Sequence, residues 1–385
     1  MILLMISLLL LLPYVALIIF YQQGWQRSER YQPPTKNQNT TLVTVVIAAR
    51  NEEKNIGHCI ESILKQSYPA HLFEIIIVDD SSIDSTAAIV NSFKQKNISL
   101  IRLSDFTGNE NLNSYKKKAV ETAIGLAKKG LIVTTDADCI VPQEWLATMA
   151  SYYEVTGSVF IASPVVYADP SSTDSVFRKF FKIFQLLDFM ALQGITGASV
   201  YKKIHNMCNG ANLAYERKVF FEVNGFEGID NIASGDDMLL MHKIQKKYPD
   251  KIRYLKSANV IVQTQPSETI KEFINQRIRW ASKADKYPDF KITIVLILVY
   301  FLNAWIFLIV VYSFFYLKAF YLFLLLFIVK TTAELFFLFP VAKFFRKQKL
   351  LWWFIPSQPF HIIYTLIAGW LGKFGSYSWK ERKVK

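Results

Sequence analysis

An α/β domain on a mostly parallel sheet, flanked by transmembrane helices, is the architecture this sequence predicts, and three observations predict it. From Thr41 onward, short β-branched runs alternate with amphipathic stretches, the signature of a sheet covered by helices. Long apolar stretches stand at both ends of the chain. Of the 385 residues, 52% are hydrophobic and the mean hydropathy is +0.21, too apolar for an ordinary soluble protein of this size. Finally, carboxylates gather just after the apolar runs, where ligands bind in such sheets.

Residues 1–21 form the first element. Ile2 to Tyr21 is almost unbroken Leu, Ile and Val, long enough to cross a hydrocarbon core of about 30 Å. No basic residue precedes it and no small-residue cleavage pattern follows; Arg27, Arg30 and Lys36 come after it, so it reads as an uncleaved anchor with its carboxyl side in the cytoplasm. Residues 22–40, with Pro33-Pro34, read as a linker.

The domain expected over 41–286 opens with a strand at Leu42–Ala48. Asn51 suits a helix cap, Glu52 and Glu53 suit the first turn, and Ile56, Ile60, Ile63 and Leu64 share one face. Further strands are expected at Glu74–Val78, Ile98–Leu103 and Leu131–Thr135, with a helix over Ser114–Lys129. This order brings Ala49, Arg50, Asn51 and Glu52, then Asp79 and Asp80, then Asp136 and Asp138 to one sheet edge. Asp136 and Asp138, one residue apart at the end of a buried strand, offer two hard oxygen ligands on one rim, suited to Mg²⁺ or Mn²⁺ and a phosphate-bearing substrate. A carboxylate here can also accept from a uracil N3–H or a ribose hydroxyl, and Lys116, Lys117 and Lys118 can meet phosphates or form a solvated helix face.

Later in the domain, Asp237 follows Ser234-Gly235 and opens a helix anchored by Met238, Leu239, Leu240 and Ile244, a place for a base or for a plain N-cap. Gln276, Arg279 and Trp280 share a face of a helix that Ser267 can cap, offering an amide, a cation and an apolar platform; the same spacing fits an amphipathic membrane-surface helix with Arg277 toward headgroups. Asn209 and Asn212 around Gly210 shape a sugar pocket or simple Asx turns.

Beyond the domain, residues 287–372 read as membrane region. Ile292–Tyr316 and Phe320–Pro340 each suffice to span, with Lys330 and Glu334 placed to pair at i, i+4 inside the second. Leu350–Leu371, broken by Pro356 and Pro359, is a third span or a re-entrant segment; a basic tail occupies 373–385. The net charge of +13 sits beside apolar stretches, pointing to a membrane surface and away from nucleic acid. Cys59, Cys139 and Cys208 have neither disulfide-framework nor metal-site spacing, which suits a reducing, cytosolic compartment.

These residues carry a resemblance. Val45-Val46-Ile47-Ala48-Ala49-Arg50-Asn51-Glu52-Glu53, Ile77-Val78-Asp79-Asp80-Ser81-Ser82, Thr135-Asp136-Ala137-Asp138, Asn209-Gly210-Ala211-Asn212-Leu213-Ala214, Gly235-Asp236-Asp237 and Gln276-Arg277-Ile278-Arg279-Trp280 follow one another as in membrane-bound family 2 glycosyltransferases of GT-A fold. The chain resembles bacterial polysaccharide synthases of that family over about Thr41 to Lys286. The resemblance implies uridine held by the first two elements, ribose and metal met by Asp136 and Asp138, Asp237 as base with Asp236 in place of the family's Glu, and an acceptor site lined by Gln276, Arg279 and Trp280. It implies a nucleotide-sugar donor, a divalent metal, and a lipid-linked or polysaccharide acceptor at the cytoplasmic membrane, with the catalytic domain inside the cell. Three functions stay open: polymer synthesis, addition of one sugar to a lipid, and a membrane nucleotide sensor without transfer.

Overall fold

A computed structural model describes residues 1–34, 40–108, 113–232, 234–284, 286–287, 289–375, 377–379 and 382–384. Part of the expected linker (35–39) and of the basic tail lies outside them. In chain order the elements are α1 (Ile2–Arg27), β1 (Val43–Ala49), α2 (Ile56–Leu64), β2 (Phe73–Asp79), α3 (Thr86–Ser92), β3 (Ile98–Arg102), α4 (Ser104–Thr107), α5 (Tyr115–Leu126), β4 (Leu131–Thr134), α6 (Trp145–Thr156), β5 (Phe160–Ala162) and β6 (Val165–Tyr167). There follow α7 (Val176–Lys202), β7 (Leu213–Glu216), α8 (Arg217–Glu222), α9 (Met238–Lys247), β8 (Ile252–Tyr254), β9 (Val262–Thr264), α10 (Ile270–Ala281), α11 (Phe290–Ser313), α12 (Leu317–Phe345), α13 (Phe354–Phe374) and a terminal hairpin, β10 (Tyr377–Trp379) and β11 (Arg382–Val384).

The chain forms two compact units. Residues 29–166 and 206–265 make one; residues 1–28, 167–205 and 266–385 make the other. Within the span expected as one domain, 41–286, α7 and the stretch from Pro266 group with the helical unit.

In the first unit a seven-stranded sheet runs β3-β2-β1-β4-β7-β5-β8. β1, β2 and β4 are continuous apolar runs because both faces of a parallel sheet are covered; β1 pairs parallel with β2 (Ala49 beside Asp79) and with β4 (Val46 beside Thr134). The chain leaves β1 toward β2 and β3, then crosses back to place β4 on the other side of β1. That reversal opens a crevice at the carboxyl ends of β1 and β4. β7 enters antiparallel between β4 and β5, so the sheet is mixed. α2 buries Ile56, Cys59, Ile60 and Ile63 on one face, but it begins at Ile56, after Asn55. The expected cap, Asn51, instead adopts a left-handed conformation (φ 51°), which Asn tolerates better than most residues.

The helical unit holds α1, α7 and α10–α13. Among the described residues four helices, α1, α7, α11 and α12, are long and apolar enough to cross a membrane. α7 lies outside the expected spans; most of its apolar length is buried while that of the other three is mostly exposed, so it is the internal helix of this unit. Close approach demands small residues along it. A Cβ at Gly194 would lie 2.6 Å from Val341 and 2.9 Å from Phe337 of α12, and one at Gly24 of α1 would lie 3.0 Å from Ala198.

α13 is continuous over Phe354–Phe374 and is not among the four. Pro356 falls in its first turn, where no N–H is needed, so only Pro359 deprives a carbonyl, that of Ile355, of its helical donor. α10 starts at a capping box of Thr269 and Glu272. Ser267, the expected cap, exchanges backbone hydrogen bonds with the Gln185 side chain at 2.9 Å each. Inside this unit the expected Lys330–Glu334 pair forms at 2.8 Å, with Lys330 Nζ donating to Gln358 Oε1 (2.8 Å), Gln358 Nε2 donating to Glu334 Oε2 (2.6 Å), and Tyr14 Oη donating to Glu334 Oε1.

Candidate active site

Three loops meet at the crevice, and two of them are stitched together. The Asn51 N–H donates to Ser82 Oγ (3.0 Å) and its Oδ1 accepts from the Ile83 N–H (3.0 Å); the Glu52 N–H donates to Thr86 Oγ1 (2.7 Å); the Glu53 N–H donates to Asp84 Oδ2 and its Oε2 accepts from the Ser85 N–H, both at 3.1 Å. These reciprocal bonds make the ends of β1 and β2 one platform. Arg50 Nη1 donates to the Asp80 carbonyl (2.8 Å) with the Asp80 carboxylate 3.7 Å away, and the Asp80 N–H donates to the Ala49 carbonyl. Asp79 accepts from the Ser82 N–H at 3.2 Å. Ala49 thus contributes backbone, while Arg50, Asn51, Asp79 and Asp80 shape the platform.

The third loop follows β4, which ends at Thr134. A turn closed by the Cys139 N–H on the Asp136 carbonyl (3.2 Å), not strand alternation, sets the two acids. Asp138 accepts from Thr264 Oγ1 at 3.0 Å and has the Cys139 thiol 3.7 Å from its Oδ1. Burial, with the charges of Asp136 and Glu52, pushes its carboxyl up to about 6. The pocket is short of positive charge. Among the described residues no cluster of three or more His, Cys, Asp or Glu side chains stands ready to hold a metal. An acid-rich rim of this kind suits Mg²⁺ or Mn²⁺, which take one or two carboxylates and complete their shell with water and phosphate oxygens.

The lysines divide. Lys116 lies 2.8 Å from Asp136 and 3.4 Å from Asp236; although burial opposes its charge, those two carboxylates hold it above the usual lysine range. Lys117, expected at the phosphates, is 2% exposed and donates to the carbonyls of Ile229 (2.6 Å), Ile232 (2.6 Å) and Ser234 (3.2 Å). It clamps the loop leading to Asp236 and does not enter the cleft. Burial lowers its ammonium to about 8.

Asp237 caps α9, its Oδ1 accepting from the Met238 N–H (2.7 Å) and its Oδ2 from the Gly210 N–H (3.0 Å). The N-cap reading therefore holds, and the second bond ties α9 to the Asn209–Asn212 turn. Within that turn Asn209 Oδ1 accepts from the Ala211 N–H, an Asx turn. Asn212 is fully buried and spent: its Nδ2 donates to the Pro164 (2.7 Å) and Val260 (2.6 Å) carbonyls and its Oδ1 accepts from Trp145 Nε1 (2.9 Å), which excludes it from a sugar pocket. Lys116, Asp136, Gly210, Asp236 and Asp237 line one cleft.

Gln276, Arg279 and Trp280 belong to the helical unit. All three are half-buried on α10, whereas Arg277 is 4% exposed and ion-paired with Asp188 at 2.6 Å, not turned toward headgroups. Thr264 and Asp188 escaped the sequence reading; nothing near either residue in the chain marks it.

Residues 44–222 match the family model "Glycosyl transferase family 2". Glycosyltransferase AglE of Haloferax volcanii is 28% identical over 125 residues, 32% of this chain and 40% of that protein. The probable glycosyltransferase YdaM of Bacillus subtilis is 29% identical over 239 residues, 61% of this chain and 53% of its own length, so the chain spans about half or less of these curated relatives. Mannosyltransferase PcManGT of Pyrobaculum calidifontis, solved with GDP-Man and Mn²⁺, aligns over 96% of this chain and 98% of its own at 17% identity and a TM-score of 0.56. That likeness shows a shared GT-A fold.

Proposed function

From the family 2 glycosyltransferase domain that this chain carries at residues 44–222, we propose that the protein is an inverting, divalent-metal-dependent enzyme moving a sugar from a nucleotide donor, UDP-linked, to a membrane-associated acceptor. The observation that carries this reading is the meeting of Asp79 and Asp80, Asp136 and Asp138, and Lys116 with Asp236 at one sheet edge. The stitched platform of Asn51, Glu52, Asp79 and Asp80 takes uridine and ribose. Asp138, with Asp136 beside it, would hold the metal, which when bound neutralises charge on the departing diphosphate.

Transfer is a single displacement. The acceptor oxygen bonds to the anomeric carbon, the bond from that carbon to the diphosphate oxygen breaks with its electrons left on the diphosphate, and the acceptor proton passes to a carboxylate. Asp237 serves as that base. Its two N–H partners fix its direction, and each oxygen keeps a lone pair free. Lys116 restrains Asp136 and Asp236 until donor phosphate competes for its ammonium. Gln276, Arg279 and Trp280 are assigned to the acceptor on the resemblance, and the apolar length of α1, α11 and α12 supports an acceptor drawn from the membrane. Basic residues after α1 and α12 support a multi-pass protein of the cytoplasmic membrane with the sheet-bearing unit inside the cell.

The test is nucleotide release by the purified full chain with UDP-glucose, UDP-N-acetylglucosamine, UDP-galactose and GDP-mannose, with and without Mn²⁺. Metal-dependent release from a UDP-sugar is the expected result. Binding of UDP without turnover by any donor, in the presence of the cell's own lipid extract, would instead establish a sensor.

A further inference from the structure

The inference rests on the reading that α10 meets the acceptor, and it concerns which atom of Gln276 is on offer. Arg277, the next residue, is buried among Phe273, Trp280 and Tyr364, its guanidinium 4.6, 4.3 and 5.9 Å from their ring centres. A guanidinium donates and never accepts. Arg277 Nη1 lies 3.1 Å from the Gln276 side-chain oxygen, so the amide must turn its carbonyl, not its nitrogen, toward Arg277; Tyr167 Oη donates to the same oxygen at 3.3 Å. Two donors fill that oxygen, and the carboxamide nitrogen is left as the group Gln276 can present.

What fixes Arg277 is Asp188 of α7. Its Oδ2 accepts from Arg277 Nη2 at 2.6 Å, its Oδ1 accepts from Tyr364 Oη of α13, and His361 Nε2 stands 3.9 Å from the same oxygen. The carboxylate is 6% exposed, so the pair is shielded from water and its geometry is set by three helices.

We propose that Asp188 is a positioning residue for acceptor recognition. Through Arg277 it holds Gln276 as a pure hydrogen-bond donor and holds the guanidinium on the ring of Trp280, so that α10 selects a ligand oxygen carrying a lone pair, the hydroxyl or ring oxygen of a sugar. Asp188→Asn loosens Arg277 without altering any residue of the motif. Gln276→Glu keeps the bond to Arg277 but puts an acceptor where the donor stood.

The experiment uses the full chain in vesicles of the source cell's lipid extract, with the sugar donor that releases most nucleotide in the panel above. Transfer into lipid and acceptor-free donor hydrolysis are measured in parallel. Asp188→Asn is expected to raise the half-saturating lipid concentration about tenfold with hydrolysis changed less than twofold, Gln276→Glu to raise it at least as far, and Asp188→Glu to recover part of the loss. The contribution of Trp280 to tryptophan emission, read as the difference from a Trp280→Phe version, shifts in Asp188→Asn and stays in Gln276→Glu. Equal loss of hydrolysis and transfer in Asp188→Asn, or an unchanged lipid dependence, overturns the proposal. A wild-type chain that releases nucleotide from no donor overturns the glycosyltransferase reading instead; the Trp280 emission of Asp188→Asn then still decides whether Asp188 sets that ring.

Discussion

The two units handle charge in opposite ways. In the helical unit two buried ion pairs are closed networks: Lys330 meets Glu334, and Arg277 meets Asp188, with Gln358, Tyr14 and Tyr364 satisfying remaining oxygens. In the sheet-bearing unit Asp79, Asp80, Asp136, Asp138, Asp236 and Asp237 gather where Arg50 and Lys116 are the cations paired with them. A closed network is what a low-dielectric interior demands of structure, because an uncompensated charge there is costly. The acid-rich edge is where the proposed function assigns a cation and a phosphate.

Mutation can break that contrast, and the largest effect is expected at Asp138. Asp138→Asn should lower metal-dependent nucleotide release by at least about a hundredfold while leaving the melting temperature unchanged or slightly higher, because the buried carboxylate is already disfavoured in its charged form. Activity and thermal unfolding measured on one preparation check both halves. Glu334→Leu should do the reverse. It strands Lys330 and costs about 3–5 kcal/mol in detergent-monitored unfolding, while Lys330→Met combined with Glu334→Leu regains most of the loss.

Asn212→Ala comes next, at about 3 kcal/mol, since it leaves two carbonyls and the Trp145 indole N–H without partners in a dry site. Chemical denaturation with an unchanged metal requirement is the expected pattern. The smallest effect is a pH slope. Lys117 titrates at about 8 when folded against 10.5 unfolded, so the unfolded chain binds the extra proton between those values and stability rises with pH across that window. Lys117→Met should flatten that rise in unfolding free energies measured from pH 7.5 to 10.5.

What the sequence made legible follows the same division. Parallel strands buried on both faces read as unbroken apolar runs, so β1, β2 and β4 and the acids after them could be located before any coordinates. The i, i+4 pair Lys330–Glu334 was legible for a similar reason: spacing alone determines it. Lys116 and Lys117 were not separable, because neighbours on a helix point about 100° apart and only tertiary packing says which one faces the cleft. The start of α10 was misplaced although the Thr269-x-x-Glu272 signature was present, a stronger signal than an isolated Ser267. α7 escaped because Arg178, Lys179, Lys182 and Asp188 interrupt its apolar pattern, and a helix buried on most sides shows no clean polar face.

That hidden helix governs how the molecule can be made. α7 leaves the ribosome after α1 but before α12, whose Phe337 and Val341 close over Gly194. During synthesis it has one early partner, α1, through the Gly24–Ala198 approach, and must wait for the other. Excising residues 41–286 as a soluble fragment would remove both partners at once and expose the apolar length of α7 to water. Recombinant work on this chain is therefore better served by keeping α1 and α12 than by trimming them.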